Sequence, residues 1–177
     1  MSRLRCYSPI FLKKIVWNRK HRTGCVSSAR CPLDLLECLK ALGPGERLLD
    51  LGCGTGNLRA ALRLNDWNGH FIGVDISETA IKRARSAGDN NAEWHVTALE
   101  HFPIPKPLVD TISLCESIYY VRPDSVTALI ERCRHSLLPS KGRIVIRIWH
   151  ADRHREYVTR LAHLGAECNA PIYILRA

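Results

Sequence analysis

Residues 48–58 read Leu-Leu-Asp-Leu-Gly-Cys-Gly-Thr-Gly-Asn-Leu, an apolar strand that ends in an acid and runs into glycines at alternate positions. Glycine has no Cβ, so the turn can take unusual dihedrals and bring main-chain N–H groups against a ligand. The stretch predicts a turn over 52–56, with Cys53 inside it, shaped to approach an adenosine cofactor. Asp50 stands just before the turn, at the carboxyl end of a strand, where ligands of open α/β sheets bind and a carboxylate can meet a cationic group. Downstream, His70-Phe71-Ile72-Gly73-Val74-Asp75-Ile76-Ser77 is a second apolar run closed by an acid. Two ribose hydroxyls are donors and a carboxylate offers two acceptor oxygens, so Asp75 is the expected ribose ligand.

The dinucleotide pattern G-x-G-x-x-G would need its last glycine at position 57, which is Asn57. The spacing D-x-G-x-G-x-G, from Asp50 through Gly52 and Gly54 to Gly56, instead resembles the first motif of class I S-adenosylmethionine-dependent methyltransferases. That resemblance spans about residues 32–177. It implies S-adenosyl-L-methionine as cofactor, with Asp50, Gly52, Gly54 and Gly56 along its methionine part and Asp75 with Ile76 at ribose and adenine. Members often carry an Asp after the third strand for the adenine amino group. Here Ala98 takes that place, which implies adenine recognition through backbone groups of Ala98 and Leu99. After the fourth strand, Cys115-Glu116-Ser117-Ile118-Tyr119-Tyr120-Val121 is somewhat similar to the same segment of nodulation-type N-methyltransferases. Glu116 there is a candidate to contact the cofactor or take a proton from the acceptor, and Tyr119 to border the transferring methyl. Of Tyr119 and Tyr120, at most one is expected to face the pocket, the other lying in the core.

These residues need elements to hold them. Pro32 opens a helix with Leu35, Leu36, Leu39 and Leu42 at helical spacing, ended by Gly43-Pro44-Gly45. Strands are expected at about 47–51, 70–75, 93–97, 109–115 and 143–149. Helices are expected at about 57–65, from Ser77-Glu78 onward, at 124–138 and at 152–164. Such alternation implies right-handed crossovers and a doubly wound, Rossmann-like α/β fold. The resemblance implies a mostly parallel sheet of about seven strands, the last antiparallel and formed within the final residues.

The chain has 177 residues and a net charge of +9, unevenly placed. No acid precedes Asp34, whereas Arg3, Arg5, Lys13, Lys14, Arg19, Lys20, Arg22 and Arg30 are all basic; the remainder is nearly neutral. Two units follow: a basic arm or lid over 1–31 and a cofactor-binding domain over 32–177. Ser8-Pro9 before Ile10, Phe11, Leu12, Ile15 and Val16 predicts a capped amphipathic helix whose apolar side packs inward over the pockets. An acid-free start also fits a targeting segment, but serine is sparse and retention is expected. The eight cysteines form no C-x-x-C pair and read as thiols in a reducing, cytoplasmic compartment. No apolar run is long enough to cross a bilayer, and no membrane partner is expected. His150 and His154 are spaced four apart, yet Ala151 stands where H-E-x-x-H needs its glutamate, and no metal is expected. G-x-S-x-G and the P-loop are absent, which excludes the common hydrolase and NTPase classes.

The functional expectation is methyl transfer to an O or N atom of a small molecule. Base-directed enzymes would show an Asn/Asp-Pro-Pro-aromatic segment after the fourth strand, and Cys115–Tyr120 has none. The basic arm keeps RNA or another nucleic acid as the alternative acceptor. A non-catalytic cofactor-binding module is the third reading.

Overall fold

The computed structural model describes residues 6–26, 30–103 and 109–177. Arg3 and Arg5 of the basic arm lie outside them. In chain order the elements are α1 (Ile10–Arg22), α2 (Leu33–Leu39), β1 (Arg47–Leu51), α3 (Asn57–Arg63), β2 (His70–Asp75), α4 (Glu78–Arg85) and β3 (Ala92–Val96). After them come β4 (Thr111–Cys115), α5 (Pro123–Arg134), β5 (Arg143–Arg147), α6 (Arg155–His163), β6 (Glu167–Asn169) and β7 (Ile172–Arg176). Short 3-10 turns follow β4 at Ile118–Tyr120 and β5 at Ala151–His154.

The sheet has seven strands in the order β3-β2-β1-β4-β5-β7-β6. Strands β1 to β5 pair in parallel, while β7 runs antiparallel to both β5 and β6. The chain steps outward from β1 to β3 and then returns to β4 on its other side, which opens a crevice at the carboxyl ends of β1 and β4. This is the expected doubly wound sheet with its reversed last strand. Strand pleating sends alternate residues to opposite faces. Leu49, Leu51, Ile112, Leu114, Ile144 and Ile146 pack on one side against Val126, Leu129 and Ile130 of α5 and Leu161 of α6. Leu48, Phe71 and Val145 pack on the other against Leu35 and Leu39 of α2 and Leu58 and Leu62 of α3. Both faces are buried, hence the near-continuous apolar runs in the central strands.

Helix boundaries are shorter than periodicity suggested: α2 ends at Leu39, and α5 starts on Pro123 and stops at Arg134. Helix α4 starts after Ser77 as expected, and the Ser77 hydroxyl caps it, accepting from the Ala80 N–H at 3.2 Å. Helix α1 forms, but its N-terminal position is Pro9 and no side chain caps it. Its orientation also reverses the expectation. Ile10, Phe11, Leu12, Ile15 and Val16 are exposed, and the inward face is built from Lys13, Trp17, Asn18 and the buried His21. The reason is what α1 packs on: the polar carboxyl edge of the sheet and the N-terminus of α4, where hydrogen-bonding side chains find partners and aliphatic ones do not.

Candidate active site

The strand ends and the turns after them create the site. Gly52, Gly54 and Gly56 all have positive φ, at 94°, 54° and 82°. At Gly52 a Cβ would also collide with the Ser117 side chain, whose hydroxyl donates to the Leu51 carbonyl at 2.6 Å. The turn after β1 is thereby fastened to the turn after β4. Asp75, at the end of β2, accepts the Gly54 N–H at 2.9 Å through one oxygen and the Ser77 N–H at 2.7 Å through the other. Burial pushes its pKa upward, and the two N–H donors oppose that shift by favouring the carboxylate.

One pocket at the carboxyl edge joins Gly52, Asp75, Ile76, Ala98, Leu99 and Glu116. Six of the expected site residues thus meet across four loops. Val74 and Ser117 complete the sheet side, and Lys13, Trp17 and Tyr120 the roof. The other expected residues sit around this pocket. Asp50 lies beneath the turn, 2% exposed, accepting from the Ser113 hydroxyl. Its pKa is pushed up to about 7 by burial, against the Ser113 hydrogen bond and with help from the charge of Asp75. Cys53 is buried, and its thiol is pushed well up by burial with Asp75 and Asp50 nearby. Gly54 faces His21, whose Cε1 stands 3.8 Å from the position of an added Cβ. At Gly56 a Cβ would stand 2.6 Å from Trp94, so there the missing side chain serves packing between α3 and β3.

Glu116 is a junction. Its Oε1 accepts from Arg147 Nη1 at 2.8 Å and from the Trp149 N–H at 2.9 Å, and its Oε2 accepts from the Tyr119 hydroxyl at 2.7 Å. Arg147 reaches on to Asp34 of α2 at 2.7 Å. Glu116 itself has φ 54°, a left-handed conformation that bulky residues avoid. Burial and the Glu116 charge raise the Tyr119 hydroxyl far above its usual range, so it stays protonated as a donor. Tyr120 lines the cofactor-side pocket, while Tyr119 lines a separate polar groove of ≈ 670 Å³. One tyrosine, Tyr120, thus faces the cofactor-side pocket, as expected, while Tyr119 is partly buried against the core and also borders the groove. His154 stacks on Tyr119 at 4.1 Å in that groove, and among the described residues no cluster fit for a metal ion forms.

Sequence reading missed the parts supplied by α1 and α5. Lys13 Nζ donates to the Tyr120 carbonyl at 2.8 Å and faces Glu100 at 3.3 Å. Asn18 Oδ1 accepts from the Ser77 hydroxyl at 2.9 Å and from the Thr79 N–H at 3.1 Å, docking α1 on the start of α4. Trp17 meets Tyr120 edge-on, with ring centres 5.0 Å apart. His21 is 5% exposed, and its Nδ1 has no partner among the described residues. Burial first, then Arg83 and Lys20, lower its basicity below the usual 6.5. Arg132 of α5 donates to the Leu99 carbonyl at 2.9 Å and the Glu100 carbonyl at 2.5 Å, holding the loop after β3 in place. The i, i+4, i+8 spacing of Lys13, Trp17 and His21 is the one sequence signal that pointed to a shared face.

Residues 48–140, more than half the chain, match the family described as "Methyltransferase domain". The indolepyruvate C-methyltransferase of Streptomyces griseus is 28% identical over 135 residues, covering 70% of this chain and 39% of its own. The ubiquinone biosynthesis O-methyltransferase of Xylella fastidiosa (strain 9a5c) is 32% identical over 106 residues, covering 58% and 41%. The chain therefore spans about two fifths of the length of these relatives. Among solved structures, the DhpI-SAM-HEP complex superposes with a TM-score of 0.68 at 18% identity, covering 94% of this chain and 97% of that one, and so shares its fold. With the glycine turn, the acid of β2 and the strand order in hand, the chain belongs to the class I S-adenosylmethionine-dependent methyltransferase family.

Proposed function

We propose that the chain transfers the methyl group of S-adenosylmethionine to an O or N atom of a small-molecule acceptor. The observation that carries this reading is the convergence of Gly52, Asp75, Ile76, Ala98 and Leu99 on one pocket beside Glu116. These residues fit the cofactor: Asp75 keeps acceptor capacity for ribose hydroxyls beyond the two N–H groups it binds, and Arg132 fixes the loop facing the adenine. The unpartnered Nδ1 of His21 beside Gly54 is suited to the amino-acid end of the cofactor. When bound, the sulfonium supplies an activated methyl and its own leaving group, so the protein mainly aligns and desolvates.

Glu116 and Tyr119 form the wall between this pocket and the polar groove holding His154. The groove is the proposed acceptor site. Because Glu116 is already held by Arg147, the Trp149 N–H and Tyr119, its first contribution is to fix that wall and aim the tyrosine hydroxyl at the acceptor. Helix α1 acts as the lid. The space beneath it is ≈ 80 Å³, well below the roughly 300 Å³ or more of ligand pockets, so α1 withdraws to admit the cofactor and returns to exclude water.

Calorimetry with S-adenosylhomocysteine, for the wild type and Asp75→Ala, tests the cofactor site. Transfer of labelled methyl to a panel of small phenols, amines and carboxylates, with bulk RNA beside them, tests the acceptor. Label confined to RNA would move the reading to a nucleic-acid enzyme, for which the basic arm speaks. Cofactor binding with no transfer to either would favour a non-catalytic module.

A further inference from the structure

We propose that the outward face of α1 docks on an anionic lipid surface. Phe11 is 64% exposed and Ile15 59%, and Leu12 and Val16 beside them are also exposed. They lie along one side of the helix, because their spacing of one, three and four residues repeats its turn. The opposite side is already engaged through Lys13, Trp17 and His21, and Asn18 at the edge of the strip is bonded to α4, so α1 cannot rotate to bury the apolar strip without breaking those contacts.

The charge around the strip selects the occupant. Arg19 and Arg22 are exposed and continue the same side of the helix toward its end. The neighbouring α4 adds exposed Lys82 and Arg83, and its Glu78 is paired with Lys14. No acid occurs anywhere before Asp34. A second copy docking through this face about a two-fold axis would set these cations against their own counterparts. A nucleic acid would leave Phe11, Leu12, Ile15 and Val16 without a partner. A headgroup layer satisfies both features: acyl chains receive the apolar strip and anionic headgroups receive the arginines and lysines. The sequence expectation of no membrane partner came from the absence of a bilayer-crossing run, which a helix lying in the interface does not need. The proposal is independent of the methyl acceptor.

Co-sedimentation of the full chain with vesicles of phosphatidylcholine alone, and of equimolar phosphatidylcholine and phosphatidylglycerol, tests it. Binding is expected to the anionic vesicles and to weaken with salt. Phe11→Asp with Ile15→Asp should lower the partition coefficient at least tenfold, and Arg19→Glu or Arg22→Glu by about fivefold each. Both classes of variant should keep the wild-type circular dichroism and S-adenosylhomocysteine affinity, which separates loss of docking from loss of fold. The proposal fails if folded wild type ignores anionic vesicles, or if the double variant binds them as well as wild type does. It fails equally if light scattering shows a dimer that the double variant dissolves and that does not bind vesicles.

Discussion

The carboxylate of Asp75 accepts the backbone N–H of Gly54 at 2.9 Å, so the acid closing β2 holds the glycine turn that follows β1. Two sequence motifs 21 residues apart are therefore joined, which gives the site its first testable property.

Asp75→Ala removes the expected ribose acceptor and frees the Gly54 and Ser77 N–H groups. Affinity for S-adenosylhomocysteine should fall by roughly 1.5–3 kcal/mol, as for hydrogen bonds to a charged group. Titration calorimetry reads this directly, and an unchanged dissociation constant would remove Asp75 from the cofactor site.

Asp50 predicts an inverted pH dependence. Its pKa is raised from 3.8 to about 7, chiefly by burial, so between those values the folded state holds a proton the unfolded state has lost. Its contribution to stability is full below the unfolded value and declines as pH rises through the folded one. Asp50→Asn should raise the melting temperature more at about pH 8 than at about pH 5, with a gain on the order of 1–3 kcal/mol. An equal gain at both values would show that burial of the charge is not the cause.

His21 predicts the opposite slope. Buried beside Arg83 and Lys20, it resists protonation in the folded state. Stability is full above its unfolded value of 6.5 and is lost as pH falls below it. Acidification should loosen α1, seen as faster amide exchange over 10–22 after correction for intrinsic rates. His21→Gln should flatten that dependence and weaken S-adenosylhomocysteine binding; a slope unchanged in the variant would assign the effect to another group.

Glu116 and Tyr119 separate by stability and turnover. Glu116→Gln loses the charge facing Arg147, costing about 1–2 kcal/mol of stability, and should lower turnover about tenfold or more with little change in cofactor affinity. Tyr119→Phe should match the turnover loss with a smaller stability loss, because the Glu116–Arg147 pair stays intact. Once an acceptor is known, steady-state kinetics with thermal melts distinguish the two. Parallel losses of cofactor affinity and turnover in Glu116→Gln would make Glu116 a cofactor contact instead.

Local chemistry was enough to place the glycine turn and the Asp75 that closes β2, because each depends on residue type over a few neighbours: glycine at positive φ, an acid at a strand end. The sheet followed for the same reason, since strands buried on both faces must be apolar throughout. Asp50, expected along the cofactor, is instead buried beneath the turn on Ser113. Only the tertiary structure decided which side of α1 turns inward. Periodicity put Phe11 and Ile15 together on one face and Lys13, Trp17 and His21 on another, but the polar edge beneath the helix made the second the packed one. Tertiary contacts likewise decided that Glu116 is held by Arg147, that Arg132 clamps Leu99, and that Tyr119 and Tyr120 line different cavities. Those partners lie 31, 33 and 1 residues apart. For the two long-range pairs the fold alone creates the proximity; adjacent Tyr119 and Tyr120 keep their rings in contact at 4.9 Å, and the 3-10 turn leaves one bordering the groove and the other the pocket.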